Sequence, residues 1–331
     1  MADTHATDDL QNIPDWFRPL ILRHLQLLLS LSELGSVSDT ARAASTSQPA
    51  LSKWLKELED AVGAPLFERH ARGLTPTHHG KVLLAHARRV VNEMARAQYQ
   101  LAALPAGTPE HVIIGTTPPT AAGLMPLAIT DFLKRYPKAR IELWESSMVV
   151  LLEKLEQSAV DIVVGTLDNY EPSENVRSEV LYAESTRIIA RAGHPLTRLR
   201  RPIAWDDLYR YDWIVWPTGA PIRNKLDLAL THAGRGPLPY RVESASLTAN
   251  FALIESSDLL GAVSSRLAEH FARRGGIVPL PFRLNSDSSV GVCWRQEALH
   301  EGPARDFLES LRKAAKRGRP AVHSVKLPVG E

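Results

Sequence analysis

Apolar and polar positions recur with two different periods along this chain, and the change of period divides it. From Gln48 onward, Leu51, Leu55, Leu58 and Val62 fall four, three and four residues apart, so they share one face of a 3.6-residue helix. Gln48, Pro49, Ser52, Lys53 and Lys56 lie on another face, which is polar and cationic. Ser47 suits the N-cap, Pro49 loses nothing in the first turn, and Gly63 ends the helix. A short alanine-rich helix over about 38–44 precedes it, and residues 45–47 leave room only for a tight turn. Pro65, Leu66 and Phe67 then give an apolar anchor, 68–73 a basic tip with a glycine, and 74–77 an extended return. A solvated amphipathic helix in an unrelated fold would carry the same stripe. The hairpin that follows favours a winged helix–turn–helix, with Arg69 and Arg72 able to meet phosphates or a minor groove.

Helical spacing resumes over 78–104, where Val82, Ala85, Val90, Met94, Ala97 and Leu101 recur before Pro105, Ala106 and Gly107. Such a helix would span roughly 40 Å, the length of a connecting rod. An ordinary core helix of the next domain is the alternative. From His111 the pattern turns to short strands between helices: HVIIGTT, a helix over AGLMPLAITDFLKRYP, ARIELWES, the helix MVVLLEKLEQ, and VDIVVGTL. A second set begins near Ser185 and runs to FALIESSDLLGAVSS; GGIVPLPF and SVGVCWR then bring the chain back, and a helix over GPARDFLESLRKAAKRG closes it. Strand–helix–strand alternation of this kind predicts parallel sheets with crossover helices.

Composition adjusts this picture in a few places. The chain has 331 residues and 44% hydrophobic content, enough for more than one domain with ordinary cores. A net charge of +2 gives no bulk argument for nucleic acid, so the local excess of Lys and Arg between about 40 and 96 carries it. The single cysteine, Cys293, precludes an intrachain disulfide framework and fits a reducing cytoplasm. No apolar run approaches the roughly 18–20 residues that span a bilayer. The acidic N-terminus lacks the order of a secretory signal, and residues 1–19 read as a disordered extension.

Enzymatic signals fail one by one. Cys293 lies within the apolar strand VGVCW, where a buried, inert thiol is expected. His78 and His79 are adjacent rather than at ligand spacing, and no CxxC, HxxxH, phosphate loop or G-x-S-x-G elbow occurs. The sequence therefore predicts no catalytic residue, no metal and no cofactor. The basic run Arg312, Lys313, Lys316, Arg317 and Arg319 reads as a solvated helix end, with nonspecific DNA contact as the alternative.

The string SQPALSKWLKELEDAVGAPLFERHARGLTPTHHGKVLL resembles the DNA-binding domain of the LysR-type transcriptional regulators, through S-Q-P-A-L-S, L-E, G-x-P-L-F-x-R and an L-T element with Thr75, Pro76 and Thr77. The similarity runs from about Leu20 to about Pro281. It implies an α/β protein with an N-terminal all-α winged helix–turn–helix over 20–77, a linker helix over 78–104 that pairs with its equivalent in a second chain, and a two-lobed, periplasmic-binding-protein-like (type 2) effector domain over 111–317. Lobe I would hold about 111–184 and 276–317, lobe II about 185–275, and 318–331 would be a tail. The runs RHLQLLL, PTHHGKVLLAHARRV, DIVVGTL and DWIVWPTGAPIR are most similar to regulators of the galactose-binding-protein and protocatechuate-operon groups, which implies a sugar or an aromatic-derived acid as effector.

The expected function is thus a cytoplasmic, homodimeric or homotetrameric regulator of a promoter dyad. Gln48, Pro49, Ser52 and Lys53 are candidates for base-edge or groove contacts, since glutamine can bridge adenine N6 and N7 and proline can pack on a thymine methyl. Ser47, Lys56, Arg69 and Arg72 are candidates for phosphate. In open α/β sheets ligands bind beyond the carboxyl ends of strands. That rule selects Thr116, Thr117, Ser146, Ser147 and Thr166 in one lobe, and Trp216, Pro217, Thr218 and Ser244 in the other. Taken singly, each Ser or Thr could be a helix cap. A soluble solute-binding or enzymatic module with a helical dimerisation segment is the competing reading.

Overall fold

The computed structural model describes residues 20–71, 73–103, 111–168, 170, 173–284, 287–296 and 302–317. The expected disordered extension (1–19), the tail (318–331) and Arg72 lie outside them. The chain forms two units, Met1–Thr108 with Glu156–Ala159, and Pro109–Leu155 with Val160–Glu331.

The first unit begins with α1 (Leu22–Leu34) and α2 (Val37–Ala43), whose N-cap Ser36 accepts from the backbone N–H of Asp39. The turn after α2 passes through Ser45 in the left-handed region (φ 52°) and delivers the chain to α3 (Gln48–Val62). Strands β1 (Phe67–His70) and β2 (Gly73–Pro76) form the antiparallel wing, and α4 (His78–Ala103) follows it. Helix α2 lies one residue earlier than the sequence suggested, because Ser36 takes the cap. Leu28, Leu31, Val37, Leu51, Leu55, Leu58, Leu66, Phe67 and Leu74 form one core. Burying each such side chain contributes about 1.5–3 kcal/mol, so the stripe on α3 decides which face it turns inward. Gly73 (φ 124°) is required where the wing meets the α1–α2 turn: a Cβ there would stand 2.5 Å from the Gly35 carbonyl oxygen.

The second unit contains β3 (His111–Thr116), α5 (Pro118–Gly123), α6 (Met125–Arg135), β4 (Arg140–Glu145), α7 (Met148–Glu156) and β5 (Ile162–Thr166). It continues with β6 (Val176–Arg191), a 3-10 turn at Pro195–Arg198, α8 (Trp205–Leu208), β7 (Trp213–Val215), α9 (Pro221–His232), β8 (Tyr240–Glu243) and α10 (Leu247–Glu255). Then come β9 (Gly261–Ser264), α11 (Ser265–Ala272), β10 (Ile277–Pro279), β11 (Asp287–Arg295) and α12 (Pro303–Arg317). Strands β4, β3 and β5 are parallel, and β11 pairs antiparallel with both β5 and β6. The far half of β6 pairs with β9 and β10, and a bridge from Trp213 to Leu260 joins β9 to the parallel β7–β8 pair. Two lobes therefore share one strand. The first packs Ile114, Phe132, Ile162, Phe307 and Leu311 on one sheet face and Leu151, Leu155, Val163 and Cys293 on another. The second buries Ile188, Leu208, Trp213, Leu226 and Leu260.

Three expectations need correction. The single helix expected over 122–137 is two, because the chain breaks at Leu124 and restarts with Pro126 in the next helix's first turn. Strand β6 starts at Val176 rather than near Ser185; its first half alternates charged and apolar residues because it is only partly covered. The return to the first lobe is later than 276: Ile277–Pro279 pairs with Ile189–Arg191, and Leu280 and Leu284 join the second core.

Candidate nucleic-acid interface and effector cleft

Helix α3 presents the face that the sequence selected. Leu51, Leu55 and Leu58 are 2, 4 and 5% exposed, whereas Gln48, Pro49, Lys53 and Lys56 are exposed and Ser52 is half-buried. The Ser47 hydroxyl oxygen accepts from the Ala50 N–H at 3.3 Å, closing the helix start. Ser38, on α2, donates to Gln48 Oε1 at 3.0 Å and so orients that amide. The Arg23 guanidinium donates to the Ala44 carbonyl at 3.0 Å, tying α1 to the turn between α2 and α3. Lys53 lies 3.7 Å from Glu57 one turn on, an exposed pair of small energetic weight.

Between α3 and the wing runs a groove of about 900 Å³, lined among others by Ser52, Lys53, Lys56, Glu59, Phe67 and Arg69. The groove is thus bordered by a polar, cationic helix face and by a strand carrying an exposed Arg69, groups suited to base edges and phosphates. Sequence reasoning missed Glu59, Ser38 and Arg23; only Glu59 had a signal, as the acidic residue of the L-E pair.

In the second unit, the parallel registers Thr116↔Glu145 and Val215↔Glu243 gather strand ends on one edge of each lobe. Thr117, Ser146 and Ser147 follow the ends of β3 and β4, Thr166 is the last residue of β5, and Pro217, Thr218 and Ser244 follow β7 and β8. Two selected residues are committed elsewhere. Thr116 is fully buried with its hydroxyl 2.7 Å from that of Thr120, and Trp216 is buried with its indole N–H on the Ala262 carbonyl at 3.0 Å. Both are held by burial together with these hydrogen bonds, so neither side chain is open to a ligand. Ser244 acts partly as a cap, its hydroxyl oxygen accepting from the Ser246 N–H.

One ion pair links the two sets of strand ends. Lys225, on α9 after β7, lies 2.6 Å from Asp168, two residues beyond β5, and also donates to Ser288 of β11. Burial alone would raise the Asp168 carboxyl; Lys225, the Ser289 N–H and the Ser288 hydroxyl together hold it below the usual range. Glu184, on the shared strand, is pushed up by burial despite Ser264, Arg266 and Lys225. Among the described residues no His, Cys, Asp and Glu cluster could hold a metal, and no helix is long and apolar enough to cross a membrane.

Comparison with known proteins accounts for both units. Residues 22–81 match the profile of the bacterial regulatory helix-turn-helix protein, lysR family, and residues 105–316 match the LysR substrate binding domain. The chain is 32% identical over 304 residues to the HTH-type transcriptional regulator GbpR of Azospirillum brasilense, covering 91% of this chain and 89% of that protein. It is 29% identical to the HTH-type transcriptional regulator PcaQ of Agrobacterium fabrum over 88% and 94% of the two chains. Full-length CbnR in complex with its target DNA shares the fold at a TM-score of 0.62 and 18% identity, over 91% and 100% of the chains.

Proposed function

The chain belongs to the LysR family of bacterial regulators, and from that membership we propose that it acts as a dimer on a promoter dyad and is switched by a small effector between its lobes. It is a DNA-binding transcriptional regulator with an effector domain, not an enzyme. The reading of α3 as the element in the groove rests on one observation: its leucine stripe is buried and its Gln48–Lys56 face is open. Gln48, Pro49, Ser52 and Lys53 would meet base edges; Ser47, Lys56, Arg69 and Arg72 would meet phosphate.

Helix α4 supports the dimer. Val82, Val90, Met94 and Leu101 are 51, 44, 51 and 65% exposed, an apolar series at helical spacing that a second copy would cover. Pairing of dimers would give the tetramer. The effector would sit among Thr117, Ser146, Ser147, Thr166, Pro217, Thr218 and Ser244, and a sugar or an aromatic-derived acid matches their hydroxyls. A promoter as partner implies a cytoplasmic protein. An effector changes the dimer only if it prefers one arrangement, since equal affinity shifts nothing. Footprinting the DNA upstream of the gene, with and without candidate sugars and aromatic acids, tests this. Protection that changes with one compound supports it; no protection at moderate salt contradicts it.

A further inference from the structure

Glu59 uses its main chain and its side chain on the same short segment. Its carbonyl oxygen accepts from the N–H groups of Gly63 (2.9 Å) and Ala64 (3.2 Å), and its carboxylate Oε1 accepts from those of Leu66 (2.7 Å) and Phe67 (3.1 Å). Pro65 has no N–H to offer. Every backbone donor from 63 to 67 is therefore bound by one residue of α3. That segment is the whole connection from the helix to the wing, because β1 begins at Phe67. Its far side is fixed as well: Thr77 donates its backbone N–H to the Leu66 carbonyl at 3.0 Å and its hydroxyl to the Pro65 carbonyl at 2.7 Å.

Glu59 lines the same groove as Lys53, Lys56 and Arg69, yet a carboxylate facing phosphates is electrostatically unfavourable. Its two charge-assisted bonds offset that cost. We propose that Glu59 is a positioning residue for DNA binding: it locks the wing to the recognition helix, so that Arg69 reaches phosphate while the helix is seated. The proposal rests on Arg69 meeting phosphate, as proposed above.

The test uses the full chain and a fixed duplex carrying its upstream site, with affinity measured against salt. Arg69→Ala should lower affinity and reduce the slope of log K against log salt by about 0.9, one phosphate contact. Glu59→Ala should lower affinity roughly ten-fold and reduce the slope by the same amount. The double variant should be no worse than Arg69→Ala. Glu59→Gln keeps the accepting oxygen and should restore the wild-type slope, although it removes the charge. Partial unfolding would lower apparent affinity without changing the slope, so the slope separates positioning from stability. The proposal is overturned if Glu59→Ala leaves the slope unchanged, if its effect adds fully to that of Arg69→Ala, or if Glu59→Ala and Glu59→Gln both bind more tightly. An unchanged slope in Arg69→Ala overturns the phosphate assignment with it; an effect in Arg69→Ala alone overturns only the role of Glu59.

Discussion

Lys225 of the second lobe stands 2.6 Å from Asp168 of the first, so one ion pair spans the line along which an effector cleft would open. Both side chains are largely covered, at 14 and 23% exposure, and Asp168 is additionally held by Ser288 and Ser289 of the first lobe. Lys225→Met leaves that carboxylate without its cation. Thermal melting should fall by about 1 kcal/mol, and the loss should vanish in an Asp168→Asn background. Because Asp168 titrates below its unfolded value, its contribution is present above about pH 4 and is lost as pH falls through the folded value. Equal melting of wild type and Lys225→Met at neutral pH would remove the pair from the account.

His194 follows the same pH rule, here because the fold favours its neutral form. Burial lowers its pKa, with its Nδ1 accepting from the Leu196 N–H at 3.2 Å and its ring against Tyr211. The folded protein thus favours the neutral ring. The stability this contributes is complete above about pH 6.5 and is lost as pH falls below it towards the folded value. Denaturant unfolding between pH 7.5 and 5 should show a decline that His194→Gln reduces. An identical decline in both proteins would contradict it.

Burial pushes the Cys293 thiol up to about 12. At pH 8 the native protein should react with a disulfide reagent only as fast as it unfolds, whereas the denatured chain should react at once. Immediate stoichiometric labelling of the native protein would show an open path to β11.

The winged domain was legible because its signals are local: a cap, a first-turn proline, a leucine stripe and a terminal glycine between Ser47 and Gly63. The same holds for the alternating strands and helices of the second unit. Strand β6 was legible only in its second half, since Arg177, Glu179 and Glu184 interrupt the apolar pattern where the strand crosses from lobe to lobe. Thr116 and Trp216 sat correctly at strand ends, but which side of the end is core depends on helices packed from elsewhere. Glu59 with Leu66, and Asp168 with Lys225, join residues that no periodicity relates. Polar pairs of this kind are what the chain's patterning leaves unsaid.

The central claim is that the open face of α3 reads bases. Binding of wild type, Gln48→Ala and Arg69→Ala to the footprinted site and to random DNA at one salt concentration tests it most directly. Gln48→Ala should lose about 1–3 kcal/mol on the site and little on random DNA, whereas Arg69→Ala should lose equally on both. Equal losses for Gln48→Ala on the two DNAs would contradict the assignment.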